Sequence, residues 1–518
     1  MWIHTPWLAE NKNMSLSIEQ VQEKLFQIDE RYKKPFDWEL TYDDHGRNTV
    51  FFSKEDFPLS NEIVSAKEEK IHADREFLEK VKTEIKENPN FSTHLQNLYL
   101  AAIAAKQAKL KMFEAAVWLE AEKSGLVLDS QLRQEKQSKV QKLQRIIYGK
   151  PASEDPEEVG DTFEVLQSLF EKKSNILSDK ERQEFSDFLT LFSETLAPQK
   201  RDKKVSPQAA VVQGVETIDR DTFKSITVKI LDFYKSYFNS DEIKKWQVQD
   251  KQGAGSLNIN GVDRVLNVPQ KYATTNHNKL TQTVIGHEIE QHLLQRVNSN
   301  PIAGTGFSAS WYDFIAEWVA KLNEDIANGK LEKFEDLPLL KEWNSIVLTG
   351  ILICELLPFN QAVRIATLYY KMKGKDQSEA EDNAKTLVLR RKRFVARDLP
   401  GSSMKDALYK RWKNWVIDYL MEWGDLQWAI ERYKNLNVLK VWPEELHFVE
   451  QLKSEWVVKE EELALPLFLG RILADKLTHG KGSLNRYKEF SYMKLNQKDI
   501  TYNTKRQLVE ILQALRGS

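Results

Sequence analysis

The chain has 518 residues, 41% of them hydrophobic and 29% charged, so it is long enough for two or three domains and too apolar for general disorder. Its formal net charge of −2 gives no strong field for nucleic acid or anionic membranes, and we expect neither as a partner. One cysteine, Cys354, excludes a disulfide framework, and the first twenty residues lack a signal-peptide pattern. These features predict a cytoplasmic protein.

The first 200 residues are predicted to contain a short β-hairpin followed by helices. Two strands, Phe36 to Tyr42 and Thr49 to Ser53, flank a polar turn and define an N-terminal segment over 1–60. From Glu62 to Ile147 apolar residues recur every three or four positions, which predicts a helical domain over 61–200. Within it, the proline- and acid-rich stretch from Gly149 to Asp161 is predicted to be a loop.

A basic, proline-punctuated break at Ala197 to Pro207 marks the predicted boundary to a second domain over 205–440. In this domain Ile226 to Phe238 is predicted to be an amphipathic helix, and Ser256 to Val268 a hairpin that turns at Asn260-Gly261. The apolar run from Ile346 to Phe359 is too short to cross a bilayer and predicts a core helix that buries Cys354. Residues 441–518 are predicted to form a C-terminal helical extension that packs on this domain. The fold class is therefore mainly α with a small β-sheet (α+β).

The residues typical of a catalytic centre follow the predicted hairpin, between residues 281 and 297. An apolar stripe at four-residue spacing predicts a helix there: Ile285, Ile289, Leu293 and Val297. His287, Glu288 and His292 lie off that stripe. Two histidines and a carboxylate that leave a fourth position open are typical of catalytic zinc, and a neighbouring carboxylate serves as general base. The pattern predicts a zinc metallopeptidase with Glu288 as the base.

The two histidines are five residues apart, one more than in the usual His-Glu-x-x-His helix. On a regular α-helix with 3.6 residues per turn, the two imidazoles would diverge by about 140°. A π-bulge would bring them back to one side, and such bulges are frequent at functional sites. The alternative interpretation is an amphipathic helix with two surface histidines.

A third metal ligand is expected on another helix, and Glu317, in the segment Trp311 to Leu322, is the preferred candidate. An unpaired carboxylate among these aromatic and aliphatic neighbours would be unfavourable. Asp313 and Glu324 are weaker candidates for the same role. The alternative for Glu317 is a surface ion pair with Lys321, four residues later.

Three motifs in one order resemble a known family over roughly residues 204–420. The first is His287-Glu-Ile-Glu-Gln-His292, which follows a tryptophan-containing strand near Trp246 and a hairpin ending at Pro269. The others are Ala316-Glu-Trp-Val-Ala320 and Lys405-Asp-Ala-Leu-Tyr409, the latter after Arg393-Phe-Val-Ala-Arg397. The chain resembles the family that groups bacterial proteins named for a Gln-Glu-Gly-Leu-Ala motif with the animal microtubule-associated tyrosine carboxypeptidases.

The resemblance implies a zincin-like, zinc-dependent carboxypeptidase that removes one C-terminal residue, such as tyrosine, from a peptide or protein. It implies His287, His292 and Glu317 as zinc ligands and Glu288 as general base. This chain departs from the family where Glu290 and Gln291 replace small residues and Trp318 replaces a glycine. Those departures predict a reshaped pocket, a different terminal-residue preference, or an altered or lost activity.

A carboxypeptidase needs a fixed cation for the terminal carboxylate of its substrate. Within the family pattern, Arg393, Arg397 and Lys405 are the candidates, and Tyr409 is a candidate hydrogen-bond donor to the oxyanion. The alternative is that the basic run Arg390 to Arg393 is only a solvated helix face.

Two further functions remain open: a zinc endopeptidase, and a catalytically inactive helical binding protein that retains the metal helix. A nucleic-acid binder that uses Lys200 to Lys204 and the Arg390 run is disfavoured, because both runs are short and no recognised module is present. The sequence predicts neither the substrate's identity nor the oligomeric state.

Overall fold

A computed structural model describes residues 17–32, 51–52, 56–89, 91–198, 217–238, 240–251, 257–260, 263–269, 274–276, 280–303, 314–327, 337–338, 340, 346–422, 426–438, 446–454 and 463–464. This part of the chain is mainly helical and contains two small β-sheets. The predicted α+β class with a small sheet is confirmed.

The helices before residue 200 are α1 (Ile18–Arg31), α2 (Asn61–Glu87), α3 (Thr93–Lys123), α4 (Ser130–Tyr148), α5 (Pro156–Lys173) and α6 (Asp179–Leu196). The first part of the helical prediction from Glu62 to Ile147 corresponds to α2, and the pattern continues through α3 and α4, so the helical prediction is confirmed. The predicted loop from Gly149 to Asp161 is wrong in its second half. Asp155 accepts hydrogen bonds from the N–H groups of Glu157 and Glu158, and Pro156 occupies the first turn, so these residues begin α5.

The two strands predicted near the N-terminus are not found among the described residues. Phe36 to Tyr42 lies outside them, and of Thr49 to Ser53 only Phe51 and Phe52 are described, neither of them in a strand. Phe51 instead packs its ring edge-on against Phe113 of α3, at a centroid distance of 5.4 Å. Phe51 therefore packs against a helix, and no strand is formed by the two described residues of this segment.

The helices of the second half are α7 (Arg220–Tyr237), α8 (Asp241–Lys244), α9 (Leu280–Leu293), α10 (Leu294–Ala303), α11 (Phe314–Ala327), α12 (Ile346–Leu356), α13 (Phe359–Met372), α14 (Gln377–Arg391), α15 (Lys405–Met421), α16 (Leu426–Asn435) and α17 (Leu446–Ser454). Helix α7 confirms the amphipathic helix predicted from Ile226 to Phe238. Helix α12 confirms the predicted core helix, in which the thiol of Cys354 is buried. Among the described helices, none combines the length and the apolar character that a bilayer crossing needs.

The strands are β1 (Thr217–Asp219), β2 (Gln247–Lys251), β3 (Asn258–Asn260), β4 (Val265–Pro269) and β5 (Thr274–Asn276). β1 and β5 form an antiparallel pair, and the second sheet has the order β2-β4-β3, with β2 parallel and β3 antiparallel to β4. The predicted hairpin is confirmed as β3 and β4. Its turn is longer than predicted, because Asn260 pairs with Val265 and residues 261–264 connect the strands.

Buried apolar side chains form two clusters. The first draws on α1 to α4, on α7, the β2-β4-β3 sheet, α9 to α11 and the end of α15. The second joins α5 and α6 to α12, α13 and α14. Each cluster contains residues from before and after the predicted boundary at 197–207. The division of the chain into domains over 1–60, 61–200, 205–440 and 441–518 stays a prediction.

Helix α10 docks a segment from late in the chain through polar side chains. Gln295 Nε2 donates to the carbonyl of Leu436 at 2.9 Å, and Asn298 Nδ2 donates to that of Asn437 at 2.8 Å. Asn298 Oδ1 also accepts from the backbone N–H of Ala464 at 2.7 Å. Because α10 continues directly from α9, these contacts fix the rotational setting of both helices.

Candidate metal centre

Helix α9 carries the first motif and adopts the wider π conformation over 14 residues, Leu280–Leu293. In a π-helix the hydrogen bonds link residues five apart, so His287 and His292 lie on the same side. Their ring centroids are 4.8 Å apart and their planes cross at 70°. The π-helical geometry predicted between the two histidines is confirmed. It extends over the whole of α9 rather than over a single-residue bulge.

Buried hydrogen bonds from two helices hold α9 in place, and a third helix supports one of them. Tyr234 of α7 donates from its hydroxyl to Glu290 Oε1 at 2.7 Å, and Asn323 Nδ2 of α11 donates to the carbonyl of Gly286 at 3.3 Å. Tyr433 of α16 donates in turn to Asn323 Oδ1 at 2.9 Å. These bonds satisfy buried polar groups next to the histidines, where an unpaired group would be destabilising.

Glu317 of α11 reaches both imidazoles. Its Oε2 lies 3.5 Å from His287 Nε2, and its Oε1 lies 3.4 Å from His292 Nε2. Two atoms that each lie about 2.1 Å from a tetrahedral zinc ion are separated by roughly 3.4 Å. One ligand atom from each of the three residues lies within 4.8 Å of the others, so the set is compact enough for one metal ion. The structure thus brings together His287, His292 and Glu317.

The structure describes one of the two weaker candidates for the third ligand, Glu324, and does not describe the other, Asp313. Glu324 Oε1 lies 2.8 Å from His287 Nδ1, the ring nitrogen that does not face Glu317. That separation is a close ion-pair contact and is short for two ligand atoms on one zinc ion. Asp313 lies outside the described residues.

The surface interpretation of Glu317, an ion pair with Lys321, is wrong. Lys321 Nζ instead lies 2.7 Å from Glu324 Oε2. Glu317 faces the two imidazoles, and about a third of its side chain (36%) is exposed. The alternative of two surface histidines is also wrong, because the side chains of His287 and His292 are only 12% and 8% exposed.

Glu288 is buried beside this cluster, with 4% of its surface exposed. Burial raises its pKa to about 8; the charge of His287 opposes that shift, and the charges of Glu317 and Glu324 add to it. A nearby cation would stabilise the ionised form and bring the pKa down again. A carboxyl group tuned in this way suits proton transfer near neutral pH.

The electrostatics of the cluster favour a cation. Burial alone would raise the pKa of Glu317, but the charge of His292, a hydrogen bond with it and the charge of His287 lower it to about 2. Burial alone would lower the pKa of His287, but Glu324 and Glu317 raise it overall. When both imidazoles are neutral and Glu288 keeps its proton, the two carboxylates of Glu317 and Glu324 are accompanied by a single ammonium group, that of Lys321, among the described residues of the cluster. A divalent cation would balance this negative excess.

The three departures from the family pattern are all buried. Trp318 packs into the first apolar cluster, and Glu290 accepts the hydrogen bond of Tyr234. Gln291 is fully buried, and neither atom of its amide has a hydrogen-bond partner among the described residues.

The predicted substrate-binding cations are distributed between interior and surface. Arg393 and Lys405 are 4% and 2% exposed, whereas Arg397 is exposed and its guanidinium carbon lies 5.0 Å from the ring centroid of Phe359. The alternative of a solvated face for Arg390 to Arg393 is wrong, because all but the first of these four residues are buried. Tyr409 lies in α15, and its side chain is outside what the structure describes.

Sequence reasoning missed the residues that support the ligands. Glu317, Lys321 and Glu324 have the spacing of one helix face, which was a usable signal for their joint role. Asn323 and Tyr433 gave no such signal, because their hydrogen bond joins residues 110 positions apart.

Comparison with known proteins adds no assignment: no family model matches the chain, and neither a curated protein nor a solved structure matches it. The resemblance to the Gln-Glu-Gly-Leu-Ala family therefore depends on the three sequence motifs.

Proposed function

We propose that this protein is a zinc-dependent carboxypeptidase with a zincin-like catalytic region that hydrolyses the C-terminal residue of a peptide or protein. The observation that carries the proposal is the cluster of His287, His292 and Glu317, with ligand-atom distances of 3.4 and 3.5 Å, next to buried Glu288. The order of the three sequence motifs favours a carboxypeptidase over an endopeptidase.

The donor set favours zinc among the divalent cations. Two imidazole nitrogens and one carboxylate oxygen are typical of catalytic zinc, which keeps a further coordination position for water or substrate. A zinc ion held by these residues would supply a water of lowered pKa and polarise the substrate carbonyl.

The remaining chemistry is assigned to side chains of the chain. Glu288 accepts the proton of the attacking water and returns it to the leaving amine, and burial raises its pKa enough for it to hold that proton. Tyr409 donates a hydrogen bond to the oxyanion. Arg397 is exposed, so it is accessible to the terminal carboxylate of a substrate. Arg393 and Lys405 are buried, and they bind that carboxylate only if a cavity leads to them.

The test is mass spectrometry of a C-terminally diverse peptide mixture after incubation with the zinc-loaded protein. We expect products shorter by one C-terminal residue. Cleavage at internal bonds would replace the proposal with an endopeptidase, and about one bound zinc without any hydrolysis would replace it with the inactive binding protein.

The matched variant for this test is Glu288→Gln, with Glu69→Gln, an exposed position on α2, as control. We expect Glu288→Gln to retain zinc and to lose about 10²- to 10⁴-fold in turnover, because the proton acceptor is gone. The control variant should match the wild type in zinc content and in turnover. Folded protein that takes up no zinc would contradict the proposal before any peptide is added.

A further inference from the structure

One face of α11 presents three charged side chains towards α9. Glu317, Lys321 and Glu324 are separated by four and then three residues, the spacing that aligns side chains along an α-helix. Glu317 contacts both imidazoles, whereas Glu324 contacts that of His287. This face therefore reaches His287 from two directions.

The imidazole of His287 is held between two carboxylates. Its Nε2 lies 3.5 Å from Glu317 Oε2, and its Nδ1 lies 2.8 Å from Glu324 Oε1. The negative charge of a carboxylate this close to Nδ1 favours the tautomer with its proton on that nitrogen. The lone pair is then on Nε2 and directed towards the site of the metal.

Lys321 fixes the position of Glu324 from the outer side. Its Nζ lies 2.7 Å from Glu324 Oε2, the oxygen that does not contact His287. The side chain of Glu324 is 19% exposed and that of Lys321 is 48% exposed, so the chain of contacts runs from the surface to the cluster. Both oxygens of Glu324 are thereby committed to partners.

We infer that Glu324 is a positioning residue that sets the affinity and orientation of the metal site through His287, and that Lys321 restrains it. Partners of this kind typically contribute 10- to 100-fold to metal affinity, because they fix the ring and increase its basicity as a ligand. The inference rests on the proposed role of His287 as a ligand and is independent of peptide hydrolysis.

The experiment measures zinc dissociation constants by chelator competition, and visible spectra of the Co²⁺-substituted protein, for wild type and four variants. Glu324→Ala should weaken zinc binding about 10- to 100-fold. Glu324→Gln, which retains an oxygen acceptor at nearly the same size, should recover part of that loss. Lys321→Met should weaken binding only a few-fold, and Glu79→Ala, which removes a pair with Lys82 of the same i,i+3 type on α2, should have no effect.

The Co²⁺ absorption bands of both Glu324 variants should keep the wild-type position, because the ligand set is unchanged. Zinc affinity within about twofold of wild type in folded Glu324→Ala and Glu324→Gln would overturn the inference. A shifted Co²⁺ band would also overturn it, since Glu324 would then be a ligand. If these zinc effects are found in a protein that cleaves no peptide, the inference stands and the proposed function fails.

Discussion

The metal centre and the basic segment (residues 390–405) both bury charged side chains, but they balance that charge differently. In the basic segment, Lys392 Nζ donates to the carbonyls of Leu399 at 2.8 Å and Gly401 at 3.2 Å. In the metal centre, carboxylates outnumber the cations and two imidazole nitrogens face one carboxylate group. In the first region the buried ammonium is hydrogen-bonded to backbone carbonyls, whereas in the second region carboxylates and imidazoles converge on one point.

The basic segment uses its polar groups to join distant helices. Lys123 Nζ of α3 donates to the carbonyl of Lys392 at 2.5 Å and to Glu120 Oε1 at 2.6 Å. The N–H of Phe394 donates to the same Glu120 oxygen at 2.8 Å. The difference between the regions shows that burial of a charge does not by itself identify a binding site; the convergence of several ligand atoms on one point is the better indicator.

The largest effect is expected from Glu317→Ala. This change removes a ligand rather than a group that orients one, so zinc affinity should fall by more than the 10- to 100-fold typical of orienting partners, to beyond about 100-fold. Chelator competition measures the loss, and far-ultraviolet circular dichroism checks the fold. Glu69→Ala on α2 is the control, and zinc affinity near the wild-type value in the folded Glu317→Ala protein would remove Glu317 from the ligand set.

A smaller effect is expected from Lys392→Met, on the way the free energy of unfolding depends on pH. Burial lowers the pKa of Lys392 to about 8, an effect that Cys354 opposes and Lys123 reinforces, while the unfolded chain keeps the ordinary value of 10.5. Between these values the unfolded state binds more protons, so this group's contribution to the free energy of unfolding rises with pH by at most about 1.4 kcal/mol per unit. The contribution is least favourable below pH 8, where the buried ammonium is charged.

Urea denaturation of the wild type and of Lys392→Met between pH 7 and pH 10 measures this contribution. The wild type should gain stability relative to the variant as the pH rises through that window. The exposed residue Lys80 supplies the control Lys80→Met, which should follow the wild-type curve. Wild-type and Lys392→Met curves that stay parallel would show that burial in the basic segment does not disfavour the charge.

The smallest effect is expected from Gln291→Leu, which removes an amide without partners among the described residues. A buried unsatisfied polar group destabilises by about 1–3 kcal/mol, so leucine, which is similar in size, should raise the free energy of unfolding by roughly 1 kcal/mol. Gln295→Leu on α10 is the matched control and should lower stability, because its amide donates to the carbonyl of Leu436 at 2.9 Å. A loss of stability in both variants would indicate that Gln291 has a partner of its own.

The features that could be predicted from the sequence are those set by a local residue pattern or by the geometry that metal ligands require. The periodicity of α2 to α4 and the apolar run of α12 identified helices, and the need for His287 and His292 to converge predicted the wider helix α9. The loop prediction failed where proline and acidic residues served as a helix start at Asp155. The burial of Lys392 could not be predicted, because its carbonyl contacts Lys123, 269 residues earlier.

The π conformation of α9 also links catalytic geometry to helical phase. Deletion of one residue between His287 and His292 would restore the common His-Glu-x-x-His spacing on an ordinary α-helix. Because an i→i+5 turn of π-helix and an i→i+4 turn of α-helix each bring the chain round about once, α10 would keep nearly the same rotational setting, and Gln295 and Asn298 would still face Leu436, Asn437 and Ala464. The π conformation therefore lets α9 accommodate one additional residue between the two histidines while the later chain docks on α10 as it would on an uninterrupted α-helix.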